Sequence, residues 1–363
     1  MRILHIAPLN TAGVPIALVQ AERALGHDSR LVTLARDPRG YQEDLCLDLP
    51  LWDPAATAMV RRMLLPRRCS AQDTGLAKPG PRPPRWRPAH PLAAALFRLR
   101  DKLQRPLVEQ AIRRHRLDEF DVCQLDGGHG FLKYDPFLPT WHARGKKVVC
   151  CYLGSDLRRR GVMPGIDEIA DRNVTVEWDH LDLHPDIRHV FFPFDCSAFR
   201  VRARENPGRL RIGHSPTDRA GKGSDAIIAA VRSLEKTHPV ELVLIEGLSH
   251  ADALAVKATC DIGVDQLGDL GYGISALEWL AMGVPVASCV AANMKTAGIA
   301  HPFVEIDRDS IVPQLTKLIT DGALRRRLGA EGRAWLERTH DAPAVVKRIH
   351  QLAGISELST SQT

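Results

Sequence analysis

The chain contains two successive series of the same pattern. In each series, apolar segments of strand length alternate with loops of small residues and segments with helical spacing. In the first half the strand-like segments are residues 3–7, 29–34, 121–125 and 147–152. Strands that alternate with helices predict a parallel α/β sheet. Right-handed crossovers place the loops that follow the strands at one edge, where ligands bind.

The second half repeats this order after a Pro207-Gly208 linker. Its predicted strands are residues 210–214, 240–246, 262–265 and 285–289, and its predicted helices are residues 224–236, 251–259 and 275–282. Residues 191–195 are expected to form the last strand of the first half. We predict two Rossmann-like domains facing across a cleft, residues 1–204 and 205–355, followed by a disordered polar tail, 356–363. The length of 363 residues is consistent with two domains.

The net charge of +6 is concentrated between Arg61 and Arg116, where acidic residues are few. Proline-rich residues 78–88 exclude a helix or a central strand, so we predict an exposed Arg/Pro-rich insertion over about 66–90. It is either a plain solvated loop or a contact for a membrane leaflet, a lipid-linked phosphate or an acidic polymer. Nucleic acid is disfavoured because no reader motif accompanies the charge.

A long helix is predicted over residues 90–116, after the insertion. Its apolar residues Leu92, Leu96, Leu99 and Leu103 share one face. Pro106 is expected to kink or split this helix, because proline lacks the backbone N–H that an inner turn requires.

Several protein classes are excluded. Eight irregularly spaced cysteines without CxxC argue against a disulfide framework and structural zinc, and are typical of a reducing cytoplasm. No apolar run reaches the roughly 20 residues of a membrane span, and the first residues do not form a signal peptide. The chain lacks GxGxxG after its first strand, and also GxxxxGK[ST], HExxH and GxSxG. It is therefore predicted to be neither a nicotinamide dehydrogenase nor a P-loop kinase.

The strongest motif is the glycine-rich loop and helix over residues 268–286. Gly271 and Gly273 allow the loop backbone to approach a ligand closely. The amides of Ile274 and Ser275 open a helix and can bind an anion. Glu278, one turn later, has two oxygens that can accept the hydroxyls of a ribose. The alternative role for Glu278 is that of a helix cap.

A second loop, residues 213–223, follows the first strand of the second half. Arg219 and Lys222 lie among its small residues, where cations can hold a diphosphate and stabilise it as it leaves. The alternative is a solvated basic turn.

At these two loops the chain resembles the GT-B glycosyltransferases, specifically the retaining family GT4. The likeness rests on Lys222-Gly223 and on Glu278-Trp279-Leu280-Ala281-Met282-Gly283-Val284-Pro285-Val286, and it covers about residues 210–350. The resemblance implies a hexosyltransferase-type enzyme that uses a nucleotide-diphosphate sugar and requires no metal. The acceptor would be a carbohydrate or a lipid-linked sugar, as in polysaccharide or glycolipid synthesis.

The resemblance also implies site residues. Arg219 and Lys222 would hold the diphosphate, Glu278 the ribose, and the amides from Gly273 to Ser275 phosphate or sugar. Where the family often carries an acidic residue before this helix, the chain has Leu270, with Asp269 adjacent.

In the first half, His129 is a candidate acceptor-side or sugar-contacting residue, expected to be exposed in its glycine-rich loop. Gly13 is expected to approach the diphosphate or the acceptor. Two alternatives remain, a catalytically silent nucleotide-sugar-binding module and a sugar-nucleotide epimerase.

Overall fold

The computed structural model describes residues 1–50, 83–201, 208–268 and 270–355. The chain divides into two compact units. The N-terminal unit comprises residues Met1–Phe191 together with the chain from Pro343 onward, and the C-terminal unit comprises Phe192–Ala342.

The N-terminal unit is built on a parallel sheet. Its described strands are β1 (Arg2–Ala7), β2 (Asp28–Thr33), β3 (Leu45–Cys46), β4 (Val122–Asp126), β5 (Lys147–Tyr152), β6 (Arg172–Thr175) and β7 (Ile187–His189). They lie in the order β3-β2-β1-β4-β5-β6-β7, and every pairing is parallel. The helices are α1 (Val14–Ala24), α2 (Pro91–His115), α3 (Phe137–Ala143) and α4 (Pro164–Asp167).

The C-terminal unit has a second parallel sheet. Its described strands are β8 (Leu210–His214), β9 (Val240–Leu244), β10 (Ile262–Val264), β11 (Val286–Ser288) and β12 (Val304–Glu305), in the order β12-β11-β10-β8-β9. The helices are α5 (Arg219–Lys222), α6 (Ser224–Leu234), α7 (His250–Lys257), α8 (Ile274–Ala281), α9 (Ala292–Thr296), α10 (Ile311–Thr320) and α11 (Gly322–Thr339).

The last helix, α12 (Ala342–Leu352), packs on the N-terminal unit, whereas the sequence assigned it to the second domain. The Nε2 atom of His350 lies 3.1 Å from the Oε1 atom of Glu22. Arg172 and Lys147 donate to the carbonyls of Leu352 and Ala353 at 2.9 and 3.1 Å. The predicted break at 204–205, most of the insertion and the tail 356–363 lie outside the described residues.

The strand prediction for residues 191–195 was wrong, and of the kink or split predicted at Pro106 the structure contradicts the split. Residues 191–195 form no strand beyond one isolated bridge between Phe194 and Asp341. Helix α2 continues through Pro106, which lies on its exposed side. Water can satisfy the carbonyl that loses its partner there, so the helix is not split.

The core of the N-terminal unit holds a charged network instead of purely apolar contacts. His5 is fully buried between two carboxylates, with Nδ1 2.8 Å from Asp126 and Nε2 2.9 Å from Glu22. Burial alone would lower the pKa of His5, but the charges of Glu22 and Asp126 outweigh it and raise that pKa to about 10. Glu22 also accepts from the hydroxyl of Ser29 at 2.5 Å. The network ties β1 to α1, β4 and α12.

Candidate functional site

The two loops singled out in the sequence meet at the carboxyl edge of the second sheet. Lys222, the last residue of α5, contacts the carboxylate of Asp265, which is buried directly after β10. The other oxygen of Asp265 accepts the N–H of Gly273 at 2.9 Å. The N–H of Leu267 donates to the carbonyl of Lys222 at 3.0 Å. Lys222 is thereby held beside the start of α8.

The loop before α8 has a backbone conformation and a close environment that favour glycine. Gly271 has φ +90°, and a side chain there would lie 3.2 Å from Ala291, so both its conformation and its surroundings favour glycine. Gly273, the N-cap residue, is extended at φ −122°, and the ammonium of Lys222 lies 4.0 Å from the position a Cβ would take. Because Asp265 occupies the amide of Gly273, an anion at this helix end would face the amides of Ile274 and Ser275.

Glu278 is part of a buried ion cluster and does not cap its helix. Lys257, on α7, contacts one of its oxygens, and Nε2 of His250 lies 2.7 Å from the other. Burial opposes the charge of Glu278, but the ammonium of Lys257 and the His250 hydrogen bond keep its pKa below the ordinary value. The side chain of His250 is 32% exposed and that of Lys257 only 4%. Of the two Glu278 oxygens, the one beside His250 therefore has the partly solvent-exposed partner.

Lys257 and Asp265 are the residues that sequence reasoning missed. Lys257 also donates to the hydroxyl of Ser275 at 2.8 Å and lies 5.0 Å from the ring centre of Trp279. In the sequence it is an ordinary lysine in the last turn of a helix, and nothing marks it as buried. Asp265 carried a weak signal, since it is an acid directly after an apolar strand.

Arg219 lies apart from this cluster. Its guanidinium forms a bidentate ion pair with the carboxylate of Glu246, at 2.7 and 2.6 Å, and its side chain is 51% exposed. Among the described residues, no hydrogen bond or ion pair joins Arg219 to Asp265 or Glu278. Leu270 is half-buried in the loop before α8, and Asp269 lies outside the described residues.

In the N-terminal unit, His129 is buried, contrary to the exposure expected from its loop. Its Nδ1 donates to the carbonyl of Gly130 at 2.6 Å. Burial, reinforced by the charges of Lys133 and Arg160, lowers the pKa of His129 well below its usual range. The imidazole is therefore neutral at physiological pH, and its role as an acceptor-side or sugar-contacting catalytic residue stays a prediction.

Gly13 precedes α1 in a left-handed conformation, φ +71°, and a Cβ there would lie 3.1 Å from the ring of Tyr41. Tyr41 lines a polar cavity of about 330 Å³ together with residues such as Gln20 and Arg36.

Asp156 follows strand β5 in the same unit. Its carboxylate accepts hydrogen bonds from the amides of Leu153, Gly154 and Leu157, so it stabilises the local turn, as aspartates commonly do.

Within the described parts of the chain, no group of three or more His, Cys, Asp or Glu side chains is placed to hold a metal ion. Over the same residues, no helix has the length and apolarity needed to cross a bilayer.

Comparison with known proteins gives the fold a name. No protein-family model and no curated protein matches the chain. Among solved structures, sucrose-phosphate synthase from Thermosynechococcus elongatus superposes with a TM-score of 0.59 at 14% identity, over 97% of this chain and 98% of that one. HepE from Anabaena in complex with UDP-glucose gives 0.55 at 11% identity, over 98% and 99%. The glycosyltransferase SnogD from Streptomyces nogalater gives 0.50 at 18% identity, also over 98% and 99%.

The chain has the GT-B fold. Likeness at these identities establishes the architecture, namely two α/β units with parallel sheets, and leaves the activity to be argued from the site.

Proposed function

We propose that this chain is a retaining glycosyltransferase of the GT4 type, which transfers a sugar from a nucleotide-diphosphate donor to an acceptor hydroxyl. Lys222, the start of α8 and Glu278 lie together at one sheet edge, and this grouping supports the proposal. A cation and a helix N-terminus suit a diphosphate. Glu278 lies about 6 Å further along the helix, within the span of a ribose attached to that diphosphate.

The roles follow from the hydrogen-bonding capacity of each group. The ammonium of Lys222 has three N–H donors and gives one to Asp265, so the others can reach phosphate oxygens. Two ribose hydroxyls can donate to the lone pairs of Glu278 that His250 and Lys257 do not use. Asp265 and Lys257 act as positioning residues, because each orients a group that would touch the donor.

In the proposed reaction, the bond between the sugar's anomeric carbon and the leaving phosphate oxygen breaks. The acceptor oxygen bonds to that carbon on the same face of the sugar. The acceptor proton passes to the departing diphosphate, whose charge Lys222 stabilises as it develops. Neither a protein base nor a metal is required in this scheme.

Lys222→Met should slow transfer by about 100-fold to 1000-fold, the usual cost of removing one donor to a developing anion. The loss should appear mainly in kcat, since charge on the leaving diphosphate grows as the bond breaks. Lys317→Met, at an exposed lysine of α10, is the matched control and should retain wild-type kinetics. Equal rates for both variants would remove Lys222 from the site.

A thermal-shift panel of UDP-, GDP- and ADP-sugars tests donor binding directly. UDP-sugars are the first candidates, because HepE of similar fold is known in complex with UDP-glucose. We expect the sugars of one of these three nucleotides to raise the unfolding temperature clearly more than the others. No shift with any of them would contradict the proposal.

A catalytically silent binding module is the second candidate, and Leu270 in place of the usual acidic residue favours it. Such a module would show the thermal shift without releasing nucleoside diphosphate. The third candidate, an epimerase, would convert one nucleotide sugar into another without consuming an acceptor.

A further inference from the structure

The leucines of helix α2 face outward. Its buried side consists of Asp101, Gln104, Val108 and Ile112. On the opposite side lies a leucine stripe of five exposed side chains, between 43% and 64% accessible: Leu92, Leu96, Leu99, Leu103 and Leu107. At 100° per residue these five fall within an arc of about 80°. A soluble helix normally turns such an arc toward its core.

Residues other than the leucines attach α2 to the N-terminal unit. Asp101 accepts the N–H of Tyr134 at 2.7 Å, and Gln104 donates to the carbonyl of Pro50 at 2.5 Å. Phe97 packs on Trp86 with ring centres 5.6 Å apart. None of these contacts involves the leucine stripe, and a contiguous exposed apolar patch of this kind marks an interaction surface.

The charges on α2 indicate what the stripe contacts. The helix carries six Arg and Lys residues and two acidic ones. The acidic residues are neutralised, Asp101 by Arg100 at 3.0 Å and Glu109 by Arg105 at 2.8 Å. Lys102 and Arg113 lie beside the stripe, and Arg114 continues its arc about two turns beyond Leu107. All three are exposed.

We infer that the leucine stripe of α2 is a docking surface for an anionic lipid bilayer, with the helix lying in the plane of the headgroups. A central apolar arc bordered by cations is the pattern of interfacial helices. A second copy of this chain would bring two strongly basic helices together. Residues 51–82 of the same chain, which lie outside the described residues, are also basic in sequence. Neither a second copy nor this segment would therefore bring a charge complementary to that of α2.

Flotation with phosphatidylcholine vesicles, alone or mixed with phosphatidylglycerol, tests this inference on the full chain. The wild-type protein should bind the anionic vesicles and dissociate as salt is raised. Leu96→Gln, Leu99→Gln and Leu103→Gln combined should weaken binding at least about tenfold. Lys102→Gln, Arg113→Gln and Arg114→Gln should each cost about fivefold on anionic vesicles only. Leu244→Gln with Val312→Gln, exposed apolar positions in the C-terminal unit, is the matched control and should bind normally.

Three results would overturn the inference. Wild-type protein that stays unbound to anionic vesicles is one, and a leucine variant that binds like wild type is another. The third is a leucine variant that unfolds at a clearly lower temperature or changes oligomeric state, which would show that the chain itself or a second copy covers the stripe. Donor thermal shifts should be unchanged in every variant, so this test is independent of the proposed function.

Discussion

Replacing Lys257 with methionine is expected to destabilise the C-terminal unit by about 3–5 kcal/mol. The ammonium of Lys257 is the buried partner of Glu278, and its removal would leave that carboxylate out of water beside the imidazole of His250. Methionine preserves the packing against Trp279, so lost charge compensation dominates. Denaturant unfolding measures the effect, and Lys317→Met should change stability by less than about 0.5 kcal/mol.

The double variant Lys257→Met, Glu278→Gln separates stability from donor binding. Removing both charges should restore much of the lost stability, because no buried ion is left uncompensated. Donor affinity in Glu278→Gln and in the double variant should be about 10-fold to 100-fold lower than in the wild type, because the ribose hydroxyls lose a charged acceptor. Recovery of donor affinity along with stability would show that Glu278 has only a structural role.

His5→Gln is expected to destabilise the N-terminal unit by about 3–5 kcal/mol. The substitution leaves Glu22 and Asp126 buried without the positive charge that now lies between them. Hydrogen exchange in β1 and β4 locates the loss. His142→Gln, at a histidine whose side chain is 38% exposed, is the matched control and should be nearly neutral.

The same network predicts a pH profile. The folded pKa of His5, about 10, lies above its unfolded value, so its contribution is complete below about pH 6.5 and is lost as pH rises toward 10. The folded pKa of Glu22, lowered to about 2 by His5 against the effect of burial, preserves its contribution above about pH 4.5. Stability should therefore peak between these limits and fall above pH 6.5. His5→Gln should flatten the alkaline side, and an unchanged slope there would refute the assignment.

Local sequence patterns predict much of the fold. Strand β5 coincides with the predicted residues 147–152, because a β-branched apolar run between turn residues specifies a buried strand. The short strands β3 and β12, with two residues each, carry no such signal. For residues 191–195 the aromatic run suggested a strand, whereas Phe192 and Phe194 are buried by packing around His340 and Phe199.

Sequence patterns single out the residues proposed to contact the donor, but not the residues that hold them in place. Glycine-rich loops and a helix start are local patterns, so Lys222, Gly273 and Glu278 stood out. Asp265 lies 43 positions from Lys222 and Lys257 lies 21 from Glu278, and only the tertiary fold brings these charges together. Periodicity likewise identified the leucines of α2 but could not tell an inward face from an outward one.

Release of nucleoside diphosphate from nucleotide sugars tests whether the chain transfers a sugar or only binds a donor. Wild-type protein is incubated with each donor of the panel, and free UDP, GDP or ADP is measured over time alongside Lys222→Met and Lys317→Met. We expect slow release from the donor that gives the largest thermal shift, retained by Lys317→Met and lost in Lys222→Met. Tight binding of a donor with no release by any of the three proteins would contradict a glycosyltransferase and leave a binding module.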